Sequence, residues 1–229
     1  KNFIACLFVI GFVFNANALF GQVNILNASF YSESLQQEKK VDIYIPPGYD
    51  ENPELFYPVI YFLHGWDGSQ NSALNIMKYA DSLIRNEIID PVVIVCADNS
   101  PEPFNGSFYL DSPLWGDYET YNTKDLIDWI QGMGRAFPEK NYRALMGQSM
   151  GGYGCFHLGI NHSEAYRAIA AHGSPLNYDL LIGDYRQLVV EESGTNWPYF
   201  YDFETGGIYT KLIFAMSGAF SANTNTPQE

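Results

Sequence analysis

The apolar residues of this chain fall into short runs and alternating patterns that predict strands. Residues 23–31 and 40–46 alternate between apolar and polar side chains, which is typical of strands with one solvated face. We expect these two strands to be antiparallel and to lie at an edge of the sheet. Residues 58–63 and 91–97 are apolar almost throughout, which predicts strands buried on both faces.

Amphipathic segments between these strands predict helices. Apolar side chains recur at helical spacing in residues 73–85 and again in residues 126–137. The second helix is expected to begin near Thr123, which would serve as its N-cap. A further strand is predicted at 166–171. Strands that alternate with helices indicate an α/β fold with a mainly parallel sheet and right-handed crossovers.

The segment GQSMG at 147–151 matches the pattern G-x-S-x-G. An apolar run at 144–146 precedes it and a segment with helical spacing follows, so the context is that of a nucleophile elbow, a strand, a sharp turn and a helix. The turn holds its serine in a strained conformation, which requires the small neighbours Gly147 and Gly151. Ser149 is therefore predicted to be a nucleophile, and the alternative is a glycine-rich turn with an idle serine.

Loops that follow the carboxyl ends of parallel strands are the usual place for a binding site. Four loops meet this criterion, at residues 64–70, 99–122, 148–151 and 172–177. The long loop 99–122 is rich in aromatic residues and predicts a substrate rim, although a surface loop packed on itself is nearly as good an interpretation. Its aromatic residues are Phe104, Phe108, Tyr109, Trp115, Tyr118 and Tyr121.

Composition narrows the classes of function. The chain has 229 residues, enough for one large domain, and its 47% hydrophobic content indicates a folded protein. The formal net charge is −14, with acidic residues spread along the chain. Such a surface repels phosphate backbones and anionic lipid, so nucleic acid is not an expected partner.

The N-terminus resembles a secretory signal in its pattern. A lysine precedes an apolar run at residues 3–14, and Ala16-Asn17-Ala18 fits the rule for a cleavage site. Residues 1–18 are therefore predicted to be a signal peptide, and the protein to be secreted or periplasmic. The run is too short to span a bilayer, so no stable membrane anchor is expected. The alternative is a buried N-terminal strand or helix.

Cysteine usage indicates neither a disulfide framework nor a metal site. Cys6 belongs to the predicted signal peptide, and Cys96 and Cys155 lie in apolar surroundings. We expect both to be small buried side chains rather than a disulfide pair. The chain has no C-x-x-C or H-E-x-x-H spacing, and no metal or cofactor is predicted.

Four motifs in order resemble one known family. They are YIPPGYD at 44–50, PVIYFLHGWDGS at 58–69, DYETYNTKDLIDWI at 117–130 and GQSMGGYG at 147–154. Together they resemble the "putative esterase" or esterase D family of α/β-hydrolases, and the resemblance extends over roughly residues 41–222. The family includes feruloyl and acetylxylan esterases, S-formylglutathione hydrolases, enterochelin esterases and mycolyltransferases. The resemblance implies an α/β-hydrolase fold, with helices on both faces of the sheet, and a serine esterase.

The resemblance also implies roles for individual residues. Ser149 matches the nucleophile that accepts the acyl group, and the backbone N–H groups of Met150 and Trp66 match the oxyanion hole. Glu119 matches a position that braces the active-site loop, and the alternative is a solvated carboxylate at the start of a helix. We assign Trp115 and Glu119 to substrate binding.

The resemblance leaves the proton-transfer residues unassigned. His64 is interpreted as a structural partner of its loop, and His157 and His162 as packing or surface residues of the helix behind the elbow. His172 ends a strand on the correct edge of the sheet, yet it comes early in the topology for the usual base. The family places its acid and histidine after later strands. We therefore expect them beyond residue 229, with residues 19–229 forming an esterase domain that lacks its C-terminal part and is nearly inactive alone.

Three functions remain open from the sequence. The leading hypothesis is a secreted serine carboxylic-ester hydrolase that acts through an acyl-serine, with feruloyl or acetyl esters of polysaccharide as the suggested substrates. The second is an acyltransferase of the mycolyltransferase type, in which a sugar hydroxyl replaces water. The third is a non-catalytic module of hydrolase fold that binds carbohydrate. The oligomeric state is not encoded in any pattern of the chain.

Overall fold

The computed structural model describes residues 23–193 and 203–222. The predicted signal peptide at residues 1–18 lies outside these ranges. Within them, no helix combines the length and the apolar character needed to cross a bilayer.

Six of the eight strands in the described residues form one twisted sheet. The strands are β1 (Ile25–Ser32), β2 (Gln37–Tyr44), β3 (Val59–Leu63), β4 (Val93–Ala97), β5 (Asp111–Ser112), β6 (Gly116–Asp117), β7 (Arg143–Gln148) and β8 (Ala168–His172). The sheet has the order β1-β2-β4-β3-β7-β8, and β5 pairs only with β6. Strands β4, β3, β7 and β8 are parallel, while β1 and β2 add an antiparallel pair at one edge. The predicted mainly parallel sheet and its antiparallel edge are confirmed.

Helices lie on both faces of the sheet. They are α1 (Leu74–Arg85), α2 (Tyr118–Thr120), α3 (Leu126–Gly132), α4 (Met150–Asn161), α5 (Tyr178–Ser193) and α6 (Ile208–Phe220). On one face, Phe62 and Ile94 of the sheet pack with Met77 of α1. On the other face, their chain neighbours Tyr61 and Val95 pack with α3 and α4, because successive side chains of a strand point in opposite directions. This arrangement is the predicted α/β-hydrolase fold.

The helix predicted at 126–137 differs from the structure at both ends. It begins earlier, because α2 continues through a π-helical turn (Tyr121–Asp125) into α3. Thr123 is therefore not an N-cap: it lies inside the helix, and its hydroxyl donates to the carbonyl of Glu119 at 2.7 Å. The cap comes instead from Asp111, whose carboxylate accepts the N–H of Glu119 at 2.8 Å. The helix ends at Gly132, since Gly134 adopts φ 85° and turns the chain away.

The two cysteines of the described region are buried free thiols, as predicted. Cys96 lies in β4 and Cys155 in α4, on opposite faces of the sheet. Burial raises the pKa of each thiol to about 12, so neither is a reactive thiolate at neutral pH.

Candidate active site

The turn between β7 and α4 presents Ser149 in a strained conformation. Its backbone has φ 55° and ψ −120°, which residues other than glycine seldom adopt. A Cβ on Gly147 would lie 2.3 Å from the carbonyl oxygen of Gly151, and a Cβ on Gly151 would lie 1.8 Å from that of Leu63. Neither position can hold a side chain without a shift of the backbone. The predicted context of strand, cramped turn and helix is confirmed.

Ser149 is held through its backbone, and the residue is exposed to solvent. Its N–H donates to the carbonyl oxygen of His172 at 2.9 Å, which joins the turn to the end of β8. Its own carbonyl oxygen accepts the N–H of Tyr153 at 3.0 Å, which begins the helical ladder of α4. These bonds fix the direction of the side chain without using its hydroxyl.

The loop after β3 lies directly against this turn. A Cβ on Gly65 would be 3.5 Å from the Cβ of Ser149. The next residue, Trp66, donates its indole N–H to the carbonyl oxygen of Phe104 at 2.9 Å. A Cβ on Gly106 would be 2.6 Å from the Trp66 ring and 2.7 Å from the sulfur of Met150. The side chains of Trp66 and Met150, the two residues predicted to supply oxyanion donors, therefore both pack against Gly106 close to Ser149.

Met150 begins α4, so its backbone N–H has no acceptor within the helix. The N-terminal end of a helix also carries a partial positive charge. The amide beside Ser149 is consequently suited to a developing negative charge.

His64 is a structural residue of the loop after β3. The side chain is buried completely, and its Nδ1 lies 2.8 Å from the carbonyl oxygen of Gly65. Its Nε2 accepts the backbone N–H of Asn99 at 2.9 Å. Burial lowers the pKa of the imidazole, in keeping with a neutral ring whose Nδ1 carries the proton. Both nitrogens are occupied by the backbone, which agrees with the structural interpretation from the sequence.

Two asparagines that the sequence did not single out extend this network. The Asn122 amide donates to the side-chain oxygen of Asn99 at 2.6 Å and to the carbonyl oxygen of Tyr118 at 2.7 Å. The hydroxyl of Tyr109 donates to the carbonyl oxygen of His64 at 2.8 Å. The loops after β3 and β4 are thereby tied to each other and to the start of the α2–α3 helix. The position of Asn99 just after a buried strand was a signal that could have identified it.

The structure places Glu119 away from the serine. Its two carboxylate oxygens lie 2.8 Å from Nε2 of His157 and 2.9 Å from Nε2 of His162. Partial burial opposes ionisation of this carboxyl, but the hydrogen bonds from His162 and His157 outweigh it and lower its pKa. His157 is eight residues beyond Ser149 along α4, about 12 Å at 1.5 Å per residue. Glu119 thus fastens α2 to α4, which fits a bracing role better than substrate binding.

Most aromatic residues of the loop 99–122 belong to the core. The side chains of Phe108, Tyr109, Tyr118 and Tyr121 are at most 2% exposed. The predicted substrate rim is wrong for these four, because their rings fill the space between the sheet and the helices. Trp115 is half-buried and packs against Phe104, with ring centroids 5.3 Å apart.

His172 is exposed at the end of β8. Its strand pairs with β7 so that His172 lies opposite Gln148, next to the turn that carries Ser149. Its backbone carbonyl oxygen accepts the N–H of Ser149.

Among the described residues, no group of His, Cys, Asp and Glu side chains is arranged to hold a metal ion.

Comparison with known proteins gives a family. The sequence profile described as "Putative esterase" matches residues 32–200. An endo-1,4-beta-xylanase/feruloyl esterase of Xylanibacter ruminicola is 29% identical over 140 residues, which span 56% of this chain and 18% of that protein. An esterase of Mycobacterium tuberculosis is 23% identical over 148 residues, which span 64% of this chain and 31% of that protein. The chain thus spans less than a third of the length of these curated relatives.

Solved structures show the same fold. A ferulic acid esterase superimposes with a TM-score of 0.62 at 26% identity, over 68% of this chain and 60% of that one. An S-formylglutathione hydrolase from Agrobacterium tumefaciens gives a TM-score of 0.56 at 20% identity, over 85% of this chain and 82% of that one. Since the family profile matches most of the chain, and the fold and the serine turn agree with it, the chain belongs to the putative esterase family.

Proposed function

We propose that this protein is a serine carboxylic-ester hydrolase with Ser149 as its nucleophile. The observation that carries the proposal is an exposed serine with φ 55° in a turn too cramped for any residue but glycine at positions 147 and 151. Such strain persists only where the surrounding structure enforces it, and it gathers at functional sites. Membership of an esterase family supports the same chemistry.

In the proposed reaction, Ser149 Oγ attacks the carbonyl carbon of the ester and loses its proton to a base. The carbonyl oxygen becomes negative and accepts hydrogen bonds from the backbone N–H groups of Trp66 and Met150. Each such donor is typically worth about 3 kcal/mol in the barrier. The alcohol then leaves with a proton, and water releases the acid from the acyl-serine by the reverse sequence.

We do not assign the general base to His64, His157 or His162, because their ring nitrogens already have partners. Both nitrogens of His64 are bonded to the backbone, and His157 and His162 are paired with Glu119. His172 is exposed near the turn, and its substitution is a separate test.

The proposed substrates are feruloyl or acetyl esters of polysaccharide. Support comes from the relative named as a xylanase/feruloyl esterase and from the superposition on a ferulic acid esterase. The N-terminal pattern supports a secreted or periplasmic location, where such polymers are encountered.

The test uses the full-length product of the gene, with methyl ferulate and p-nitrophenyl acetate as substrates. We expect Ser149→Ala to lower kcat by about 10⁴-fold or more, because removal of a serine nucleophile leaves only binding and the oxyanion hole. A fluorophosphonate probe should label Ser149, as located by peptide mass spectrometry. Ser163→Ala, at an exposed serine after α4, is the matched control and should retain activity and labelling. Activity in Ser149→Ala, or a probe attached elsewhere, would refute the proposal.

A further inference from the structure

A polar groove opens beside the loop that follows β3. It has a cavity volume of about 530 Å³, within the range of roughly 300–1,000 Å³ found for small-molecule sites. A second cavity of about 640 Å³ shares Lys40 and Gln70 with it, so the two cavities adjoin each other beside β2. We call the two adjoining cavities together the β2 groove. The residues that line it include Glu38, Lys40, Asp67, Gln70, Asn105 and Trp115.

The walls of the β2 groove are held by hydrogen bonds between two loops. The N–H of Asp67 donates to the carbonyl oxygen of Asn105 at 2.9 Å, and the Asn105 amide donates to the Asp67 carboxylate at 3.0 Å. The hydroxyl of Ser100 donates to the carbonyl oxygen of Gly68 at 2.9 Å. These bonds fix the groove before any ligand arrives, which reduces the entropic cost of binding.

The β2 groove begins close to the proposed nucleophile. Asp67 directly follows Trp66, and Gly65 lies against Ser149. One residue, Trp66, separates Gly65 from Asp67, so their Cα atoms are at most about 7.6 Å apart. A sugar unit held at the Asp67 end of the groove is therefore near enough to be joined through one ester bond to an acyl group at Ser149.

The chemistry of the lining fits a neutral polyol. Carboxylates, amides and hydroxyls supply hydrogen-bond donors and acceptors, and the Trp115 indole supplies an apolar surface. Five carboxylates and only two ammonium groups line the groove, and one of the ammonium groups, that of Lys39, is already paired with Asp98 at 3.2 Å. The net acidic lining disfavours an anionic ligand, and its polarity disfavours an aromatic acyl group.

We propose that the β2 groove binds the glycan chain that carries the ester, as a subsite for neutral sugar units on the alcohol side of Ser149. The proposal rests on the proposed esterase function and adds to it the part of the substrate that the protein recognises. An anionic thioester such as S-formylglutathione is the alternative substrate that the acidic groove disfavours.

The kinetic test compares two substrates of the full-length gene product. One is methyl ferulate, and the other is a feruloylated arabinoxylo-oligosaccharide. The double variant Lys40→Ala/Gln70→Ala removes the side chains where the two cavities meet. We expect the ratio of kcat/KM for the oligosaccharide to that for the methyl ester to fall about tenfold or more, as for the loss of two hydrogen bonds, one of them from a charged donor. Lys78→Ala, on the exposed side of α1, should leave the ratio unchanged. An unchanged ratio in the double variant would overturn the proposal.

A binding test separates failure of the groove from failure of the esterase. Isothermal titration of Ser149→Ala with an unesterified arabinoxylo-oligosaccharide should show binding that Lys40→Ala/Gln70→Ala weakens. If the wild type hydrolyses neither methyl ferulate nor p-nitrophenyl acetate, the esterase proposal fails, while the titration still reports on the groove. Absence of oligosaccharide binding, or a higher kcat/KM for S-formylglutathione than for the feruloylated oligosaccharide, would refute the glycan subsite.

Discussion

Strands β4 and β8 are alike in sequence and opposite in environment. Both are parallel strands of five residues, VIVCA and AIAAH, on either side of the β3–β7 pair. All five residues of β4 are buried, whereas all five of β8 are exposed. Apolar sequence therefore identifies both as strands but does not determine how well each is covered.

Ser149 lies between these two environments. The proposed reaction needs donors that stabilise a negative charge and a base that accepts a proton, and the surroundings of the serine differ in what they offer for each. On the β4 side, His64, Asn99 and Asn122 lock the loops that carry the proposed oxyanion donors. On the β8 side, the described neighbour of the serine is the exposed His172. The loops that carry the proposed oxyanion donors are thus fixed by buried hydrogen bonds, whereas the residues of β8, on the other side of the serine, are open to solvent.

The largest expected effect comes from two adjacent glycines that face the two sides. A Cβ on Gly151 would lie 1.8 Å from the backbone carbonyl oxygen of Leu63, on the β4 side. A Cβ on Gly152 would lie 2.4 Å from the hydroxyl oxygen of Ser174 and 3.0 Å from the backbone carbonyl oxygen of His172, on the β8 side. Because a backbone cannot move aside as a side chain can, Gly151→Ala should cost about 3 kcal/mol or more of unfolding free energy and abolish activity.

The measurement is urea unfolding of both variants, and Gly152→Ala should be less destabilised than Gly151→Ala. Gly132→Ala is the control, since a Cβ on Gly132, at the end of α3, would meet nothing within 4 Å. It should be neutral or slightly stabilising. Equal losses of unfolding free energy in Gly151→Ala and Gly152→Ala would show that the turn is packed equally tightly on the β4 side and on the β8 side.

Two histidine variants compare the β4 side with the β8 side, and their expected effects on stability are smaller than that of Gly151→Ala. His64→Ala leaves a buried N–H of Asn99 and a buried cavity, so unfolding free energy should fall by about 2–4 kcal/mol and kcat should fall with it. His172→Ala removes an exposed ring and should change stability by less than about 0.5 kcal/mol.

Activity of the same pair tests the assignment of the base. We expect the pH profile of residual activity in His64→Ala to keep the shape of the wild type, since a structural histidine does not titrate in the reaction. His172→Ala should retain most of its activity on methyl ferulate. A loss of 10³-fold or more in His172→Ala with stability intact would make His172 the base, and the proposal would then need revision.

The sequence predicts the features that depend on local pattern, such as strands and the serine turn. It does not predict features that depend on contacts between distant residues, such as the start of a helix or the burial of an aromatic ring. The runs at 58–63 and 91–97 became β3 and β4, and G-x-S-x-G gave the turn at Ser149. The early start of the α2–α3 helix was missed because its cap, Asp111, lies outside the helix. The aromatic composition of the loop 99–122 predicts a rim because composition alone does not distinguish a ring on the surface from one in the core.

The smallest predicted effect concerns Glu119, which links α2 to α4, the helix that lies beside β8. Its carboxylate bridges His157 and His162, and Gly159 of the same helix packs on Ile169 of β8. Because hydrogen bonds from the two histidines lower the pKa of this carboxyl, its stabilising contribution is present above its unfolded pKa, about 4.3, and is lost as pH falls through the lower folded value. Asp111 and Glu164 also act on this cluster, since Asp111 lies near Glu119 and His162, and Glu164 lies 3.3 Å from Nδ1 of His162.

Glu119→Gln keeps the shape of the side chain and removes its charge. We expect it to lower unfolding free energy at pH 7 by about 1 kcal/mol, equivalent to about 2–4 °C in Tm for a domain of this size. The deficit should shrink as pH falls from about 4.3 through the lower pKa of the folded carboxyl, below which the wild-type carboxyl is neutral as well. Lys124→Gln, which breaks the exposed pair of Lys124 with Asp128, is the control and should show a smaller deficit at pH 7. If Glu119→Gln instead raised KM for methyl ferulate without any change in Tm, Glu119 would touch the substrate, and the separation of the brace from the serine would be wrong.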